Sequence, residues 1–181
     1  MALTERYVTA DAAGGGDGSN GNPWTLAEAF ATAVAGDRVN IKKGSYSLAA
    51  NPTISTAGSV GSPLVFRGYS STIGDLESVG RTNGNGPLIV TDFPEIDCGG
   101  YRLVLSGARQ LIQNLHIYGT GGDRQVDFGA QGSAMIACKV VDTNTGANAN
   151  AMNVNSGARL IGCDIQDKAT GRPCRCPQRE P

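Results

Sequence analysis

Apolar and polar residues alternate in short runs through the second half of the chain, and the same run occurs three times between Leu103 and Asp167. Each copy holds an apolar-x-apolar pair and, seven or eight residues later, a second pair. The first pairs are Leu103/Leu105, Val126/Phe128 and Met152/Val154, and the second pairs are Ile112/Asn114, Ile136/Cys138 and Ile161/Cys163. Ile112 lies 24 residues before Ile136 (136 − 112), which lies 25 before Ile161 (161 − 136). Such a period is typical of solenoid repeats.

The spacing within each copy favours strands over helices. Side chains at i and i+2 share one face of a strand, whereas a helix needs apolar residues at i, i+3, i+4 and i+7. Glycine-containing turns interrupt any such helical run, as in Ser106-Gly107-Ala108 and Ser156-Gly157-Ala158. Each copy is therefore predicted to be one coil of short strands, stacked in parallel on its neighbours. The prediction is an all-β fold, a parallel β-helix.

Stacking predicts columns of residues. Ile112, Ile136 and Ile161 are expected to lie directly over one another, and Asn114, Cys138 and Cys163 to form an inward ladder. Leu115, Lys139 and Asp164 are expected to point outward, with Lys139 and Asp164 about 5 Å apart on adjacent coils. The two cysteines are interpreted as reduced, buried apolar residues. The alternative is a disulfide between neighbouring coils.

One helix is predicted, from Thr25 to Gly36. Thr25 and Glu28 form a capping box, Leu26, Ala29, Phe30 and Ala33 share one face, and Gly36 suits the C-terminal stop. A short amphipathic helix before a solenoid is expected to cover the open end of the first coil. The strand that follows, from Asp37, is predicted to turn Val39 and Ile41 inward.

These elements divide the chain into four parts. Residues 1–24 are a strand and a glycine-rich loop, 25–36 the capping helix, 37–167 the coils and 168–181 an irregular tail. The glycine-rich residues 11–22 are interpreted as a surface loop; the alternative, a calcium-binding nonapeptide, needs tandem copies that are absent. Residues 87–91 and 95–98 are predicted strand fragments, and residues 81–86 a projecting loop. Cys174 and Cys176 are a weak metal signal in the tail.

Composition limits the classes of partner. The chain has 181 residues, of which 40% are hydrophobic and only 6% aromatic, and its 26 glycines fit a narrow solenoid with many turns. The 15 basic and 16 acidic residues leave no charge imbalance for nucleic acid or an anionic membrane, and no apolar run approaches a membrane span. The N-terminus lacks a secretory signal, so the protein acts where it is made, leaves by another route, or has lost a leader.

Two groups of segments carry a family resemblance. The N-terminal group is Pro23-Trp24-Thr25-Leu26, Ala35-Gly36-Asp37-Arg38-Val39 and Lys43-Gly44-Ser45-Tyr46. The coil-strand group is Gly61-Ser62-Pro63-Leu64-Val65-Phe66-Arg67-Gly68-Tyr69, Leu111-Ile112-Gln113-Asn114-Leu115-His116-Ile117 and Leu160-Ile161-Gly162-Cys163-Asp164-Ile165. Together these segments resemble right-handed parallel β-helix proteins of the pectate-lyase-like superfamily. The resemblance covers roughly residues 7–167 and implies a right-handed coil and a virion or extracellular setting. It leaves activity open, because the superfamily includes lyases, hydrolases, epimerases, esterases, viral tail proteins and adhesins.

Polysaccharide cleavage on this fold, as the resemblance implies, uses carboxylates and basic residues on an outward strand face. The weak catalytic candidates are Asp127, with Asn153 stacked on it, and a column of Tyr118, Asp142 and Asp167. Two carboxylates about 5 Å apart, as expected of Asp142 and Asp167, repel each other unless one is protonated or a cation lies between them, and calcium takes such oxygen ligands. The alternative is that these aspartates cap turns or sit on a solvated face. His116, the only histidine, is interpreted as a boundary residue without a matched acid.

The motifs of known pectate lyases and polygalacturonases are absent, including Trp-Ile-Asp-His, Asn-Thr-Asp and Gly-His-Gly. The preferred interpretation is therefore a structural or glycan-contacting β-helix module, of a viral tail or surface protein. The alternative is a polysaccharide lyase or glycoside hydrolase, whole or partial, that acts on acidic polysaccharide. Because the tail after Asp167 does not look like a cap, the last coil is also predicted to pair with a second copy of the chain.

Overall fold

The computed structural model describes residues 3–77, 88–120, 124–143, 150–155 and 157–167. These residues form one helix, α1 (Leu26–Thr32), and fifteen short strands. The strands are β1 (Thr4–Val8), β2 (Asp37–Lys42), β3 (Ser45–Ser47), β4 (Thr53–Ile54), β5 (Leu64–Tyr69), β6 (Glu95–Asp97), β7 (Leu103–Leu105), β8 (Gln110–Gln113), β9 (His116–Gly119), β10 (Arg124–Phe128), β11 (Ala134–Ile136), β12 (Lys139–Asp142), β13 (Asn150–Val154), β14 (Arg159–Ile161) and β15 (Asp164–Asp167).

The strands stack into three parallel sheets. Sheet A has the order β1-β2-β5-β8-β11-β14, sheet B has β4-β7-β10-β13, and sheet C has β3-β6-β9-β12-β15. The chain visits sheets A, C and B in turn and then returns to sheet A one strand further along. Each circuit is one coil, so the predicted parallel β-helix is confirmed for the described residues.

The predicted register of sheet A is wrong by one residue in two coils. Ile112 pairs with Met135, which pairs with Leu160, and these three face the interior. Ile136 instead pairs with Gln113 and Ile161, and Ile161 is 51% exposed. The error has a simple cause. Each of these strands carries two adjacent apolar residues, so alternation alone does not decide which one points inward.

A residue with left-handed backbone conformation shifts the alternation of inward and outward side chains between sheets A and C. Asn114, Ala137 and Gly162 occupy this corner with φ angles of 55°, 49° and 60°. The side chains that turn inward after the corner belong to Leu115, Cys138 and Cys163. The prediction that placed Asn114 in this ladder and Leu115 outside is therefore wrong, because the corner consumes one residue of the alternation.

The outward column that follows the corner is His116, Lys139 and Asp164. Lys139 Nζ lies 3.9 Å from Asp164 Oδ2, which confirms the predicted pair. Cys138 and Cys163 are both free, as are all cysteines in the described part of the chain.

Helix α1 begins as predicted and ends earlier. Thr25 and Glu28 form the capping box, and Leu26, Ala29 and Phe30 are buried in the core. The Phe30 ring meets Phe66 of β5 edge-on, with centroids 5.6 Å apart. The helix stops at Thr32 because Ala33 is extended; Gly36, with φ of 89°, belongs to the turn before β2. Its apolar face thereby covers the first coil. The division of the chain into four parts stays a prediction.

The segment between β5 and β6 packs outside the solenoid. Leu76, Leu88 and Phe93 form a second small apolar cluster. Arg67, on the outer face of sheet A, is buried and donates a 2.7 Å hydrogen bond to Glu77 of this segment. Residues 88–91 form no strand, contrary to prediction, whereas β6 is the predicted second fragment. The predicted loop at 81–86 and the tail lie outside the described residues.

The part of the chain described here contains no helix with the length and apolar character to cross a membrane.

The register makes a direct prediction about stability. Met135→Ala removes a fully buried side chain and is expected to lower the free energy of unfolding by about 2–5 kcal/mol. Ile136→Ala, at the next residue but on the outer face, is expected to cost about 1 kcal/mol or less. Urea denaturation of the two variants measures both values. A larger loss for Ile136→Ala would contradict the observed register.

Candidate functional site

The outer face of sheet C carries a continuous row of polar side chains, one from each coil. Strand pairing places Ser45, Glu95, His116, Lys139 and Asp164 in register, and we call this row the sheet C ladder. A second row two residues further along the strands comprises Ser47, Asp97, Tyr118, Val141 and Gln166. The opposite side chains of the same strands, such as Ile96, Ile117 and Val140, fill the core. The face is therefore held rigidly from behind.

Two contacts join neighbouring coils along the ladder, the approach of Glu95 to His116 and the Lys139–Asp164 ion pair. Glu95 Oε1 lies 3.6 Å from His116 Nδ1, and the two side chains are 47% and 17% exposed. Lys139 and Asp164 are each 19% exposed. Gln166 donates a 2.9 Å hydrogen bond to Asp164 Oδ2. These half-buried groups thus hold fixed positions relative to one another.

Burial governs the protonation of His116. Loss of solvent lowers the pKa of the imidazole below its ordinary value of 6.5, and the neighbouring Lys139 lowers it further. Glu95 and Asp164 act in the opposite direction without reversing the shift. His116 is therefore neutral at neutral pH. At 3.6 Å the Glu95 carboxylate is too far from Nδ1 for a hydrogen bond, but its charge favours the tautomer with hydrogen on that atom, which leaves Nε2 as a proton acceptor.

Tyr118 adds an aromatic ring beside the ladder. Its ring centroid lies 5.2 Å from that of His116, at an angle of 41°. Burial and the nearby carboxylates Asp97 and Glu95 raise the pKa of its phenol. The hydroxyl is therefore protonated and can donate a hydrogen bond at neutral pH.

Chemically, the face offers donors and acceptors to a hydroxyl-rich ligand. Carboxylates accept hydrogen bonds, the Lys139 ammonium donates them, and His116 and Tyr118 do both. At neutral pH the charged groups are Glu95, Asp97 and Asp164 against Lys139, so the face carries a net charge of about −2 (1 − 3).

Asp127 lies on the outer face of sheet B. Its Cα partner is Asn153, as predicted, and Asn153 Nδ2 donates a 3.1 Å hydrogen bond to its carboxylate. Arg102 Nη1 lies 3.2 Å from the other oxygen. This carboxylate is thus engaged by an amide and a guanidinium, and the structure does not bring it near the other predicted site residues.

Asp142 and Asp167 are Cα partners, as the coil period predicts. The predicted third member is wrong, because Asp142 pairs with Gly119 and Tyr118 pairs with Val141. The predicted outward orientation is also wrong for Asp142, whose fully buried carboxylate accepts a 3.3 Å hydrogen bond from Gln125. The side chain of Asp167 lies outside the described part of the structure.

The calcium site implied by the lyase resemblance does not fit these residues. A carboxylate sealed in the core and bonded to an amide is not presented to a solvated cation. Among the described residues, no three His, Cys, Asp or Glu side chains are close enough to hold a metal ion. Cys174 and Cys176 lie outside those residues. Catalytic or metal-binding roles for Asp127, Asp142 and Asp167 stay predictions.

Sequence reasoning missed the acid beside His116. Glu95 precedes His116 by 21 residues (116 − 95), whereas the repeat was recognised from spacings of 24 and 25. Glu95 also lies before the recognisable repeats, in the coil that holds the segment packed outside the solenoid. A search for Glu-x-Asp one coil ahead of His-x-Tyr, allowing a shorter period, would have found the pair.

Comparisons with known proteins identify solved structures that share the fold. No family model matches the chain, and no curated protein matches it. A solved rhamnogalacturonan lyase is 15% identical, with a TM-score of 0.64 over 92% of this chain and 43% of that one. The solved pectate lyase Pel9A is 14% identical, with a TM-score of 0.53 over 90% and 48%. The chain thus spans less than half of either lyase. The predicted right-handed parallel β-helix of the pectate-lyase type is confirmed.

The lowered pKa of His116 predicts how stability depends on pH. This imidazole is harder to protonate in the folded state than in the unfolded state. Its neutral form therefore stabilises the fold above about pH 6.5, and this stabilisation is lost as the pH falls through the lowered pKa of the folded state. The free energy of unfolding should therefore fall more between about pH 7.5 and about pH 5 in the parent protein than in His116→Gln. Denaturant titrations at both pH values measure the difference. Equal losses in the two proteins would contradict the buried, neutral state of His116.

Proposed function

We propose that this chain is a glycan-contacting β-helix module that binds a polysaccharide along the sheet C ladder. The observation that carries the proposal is the row of Glu95, His116, Lys139 and Asp164 at successive coils, with Tyr118 beside it. Its five rungs span about 19 Å, four strand spacings of about 4.8 Å, which suits an extended chain of sugar units.

The composition of the face supports a sugar ligand. Sugar hydroxyls both donate and accept hydrogen bonds, and the ladder alternates groups that accept with groups that donate. The Tyr118 ring supplies the flat apolar surface against which the C–H face of a sugar packs. Because the side chains are fixed between coils before binding, little side-chain entropy is lost when a ligand binds.

The other two faces are less suited to this role. Part of the outer face of sheet A lies under the segment that carries Glu77, which buries Arg67. On sheet B, the carboxylate of Asp127 is already engaged by Arg102 and Asn153. Sheet C is therefore our choice of contact surface.

The structural neighbours support a polysaccharide as the ligand. Both are named as lyases of pectate or rhamnogalacturonan, which are acidic polysaccharides. The negative charge of the ladder, however, repels uronate groups, so we expect neutral polysaccharides to bind more tightly than acidic ones at neutral pH.

Two finer parts of the proposal concern the setting of the module. That the module belongs to a viral tail or surface structural protein stays a prediction, and recovery of the chain in intact particles or surface extracts tests it. Pairing of two copies through the last coil also stays a prediction, and light scattering of the purified chain tests it.

The ladder proposal predicts the effect of removing its only cation. Lys139→Ala should weaken binding of a ladder-bound polysaccharide about tenfold, the equivalent of about 1.4 kcal/mol for one charge-assisted hydrogen bond. Tyr118→Ala should weaken it to a similar extent through lost packing. Isothermal titration against a panel of neutral and uronate-containing polysaccharides measures both effects.

Arg38→Ala provides the control. It removes the same charge from β2 of sheet A, where Arg38 Nη1 pairs with Glu5 Oε1 at 3.0 Å. Affinity should be unchanged. Loss of affinity in both variants would point to net charge alone, and absence of binding to every polysaccharide in the panel would overturn the proposal.

A second candidate function is elimination on an acidic polysaccharide, which the neighbours' activity and the neutral His116 favour. In this reaction, His116 Nε2 accepts the proton next to the uronate carboxylate. The C–H electrons form a carbon–carbon double bond, the glycosidic C–O bond breaks, and the leaving oxygen takes up a proton. Glu95 would hold the imidazole in the required tautomer.

The elimination reaction has its own test. Ultraviolet absorbance of unsaturated products is followed with pectate and rhamnogalacturonan, with and without added calcium. Activity is expected to fall about 10²–10⁴-fold in His116→Ala. Asp127→Asn, on another face, should retain it. Absence of absorbance change in the parent protein removes this candidate, and loss of activity in Asp127→Asn would favour the aspartates predicted from the sequence.

A further inference from the structure

Two cysteines lie on successive coils, immediately before the ladder. Cys138 precedes Lys139 in β12, and Cys163 precedes Asp164 in β15. Lys139 and Asp164 are Cα partners, and the Asp164 N–H donates a 2.9 Å hydrogen bond to the Cys138 carbonyl. The two cysteines are therefore neighbours across the coil boundary.

Both sulfur atoms are turned toward the interior. Cys138 is fully buried, and Cys163 packs against the same core. Cys138 Sγ lies 3.4 Å from the Ile136 carbonyl, and Cys163 Sγ lies 3.2 Å from the Met135 carbonyl. In-register parallel neighbours have Cα atoms about 4.8 Å apart, and disulfides join Cα atoms about 4.4–6.8 Å apart. The Cα spacing therefore lies within the range that a disulfide bond allows, and a small shift of the two coils would bring the Cβ atoms within bonding range.

The two thiols differ in burial and in how easily they ionise. Cys163 is only partly buried, whereas Cys138 is fully buried. A hydrogen bond with Cys138 lowers the pKa of Cys163, whereas burial raises the pKa of Cys138 well above its ordinary value. Cys163 is thus the attacking group and Cys138 the resolving group.

We propose that Cys138 and Cys163 form a redox site, in which exchange with a small-molecule disulfide such as oxidised glutathione links the last two described coils covalently. The Cys163 thiolate attacks one glutathione sulfur, forms a mixed disulfide and releases one glutathione thiolate. The Cys138 thiol then loses its proton as it attacks the Cys163 sulfur, and the second glutathione leaves and takes up that proton. The protein loses two electrons and two protons, and one oxidised glutathione becomes two reduced molecules.

The bond would close the segment between residues 138 and 163 and fix the two coils to each other. Lys139 and Asp164, each adjacent to a bridged cysteine, would be held in their present register. The site is thus independent of whether the ladder binds a glycan, although it would stiffen the same part of the molecule.

The test uses the full chain with Cys174→Ser and Cys176→Ser, so that the tail thiols cannot react. The folded protein is equilibrated with oxidised glutathione, and peptide mapping identifies linked cysteines. We expect a Cys138–Cys163 peptide and a rise in Tm of about 5–10 °C that reductant reverses. Cys163→Ser should show neither change, whereas Cys98→Ser should show both, because Cys98 is buried with its pKa raised to about 12.

Three results would overturn the proposal: a stable glutathione adduct on Cys163 without the second bond, thiols that stay unreacted in the folded protein, or a linked peptide with a lower Tm. Cys163→Ala replaces Cys163→Ser if the hydroxyl destabilises the coil. It serves as the same negative control.

Discussion

Backbone hydrogen bonding between successive coils is the constraint on which this structure depends. The Asn114 N–H reaches the Ile136 carbonyl at 3.1 Å, and the Ala137 N–H reaches the Ile161 carbonyl at 2.9 Å. Short strands of three or four residues cannot satisfy their own polar groups, so each coil requires its neighbour. Once these bonds form, each residue of an inner strand has a fixed partner one coil above and one below.

That pairing creates the faces of the molecule. Buried columns such as Val39, Phe66, Ile112 and Met135 fill the interior, and outward columns become rows of neighbouring side chains. Glu95, His116 and Lys139 are far apart in sequence and adjacent in space for this reason. The stacked cysteines follow from the same geometry. A functional site on such a fold is therefore built from neighbouring strands that belong to different coils.

Helix α1 and the segment after β5 cover parts of the solenoid that the stacking of coils leaves exposed. Helix α1 packs Phe30 against Phe66 of the second coil, and its buried residues join the same apolar core as Val39 and Ile41 of the first coil. The segment after β5 places Glu77 on Arg67 and covers part of sheet A. Among the described residues, neither addition covers the outer face of sheet C, whose half-buried side chains of mixed charge are the basis for assigning the ligand contact to it.

The sequence by itself determined the class of fold, the repeat, the capping box at Thr25 and the pairing of Lys139 with Asp164, because period 2, coil length and local capping are properties of short segments. It did not determine which of two adjacent apolar residues points inward. Only the tertiary structure decided that, through the left-handed corner at Asn114 and its equivalents, which shifts the alternation by one residue. The same shift placed Asp142 in the core and Leu115 beneath the ladder. The approach of Glu95 to His116 was also a tertiary outcome, because it depends on a coil whose length differs from the repeat and on the partner strand that holds it.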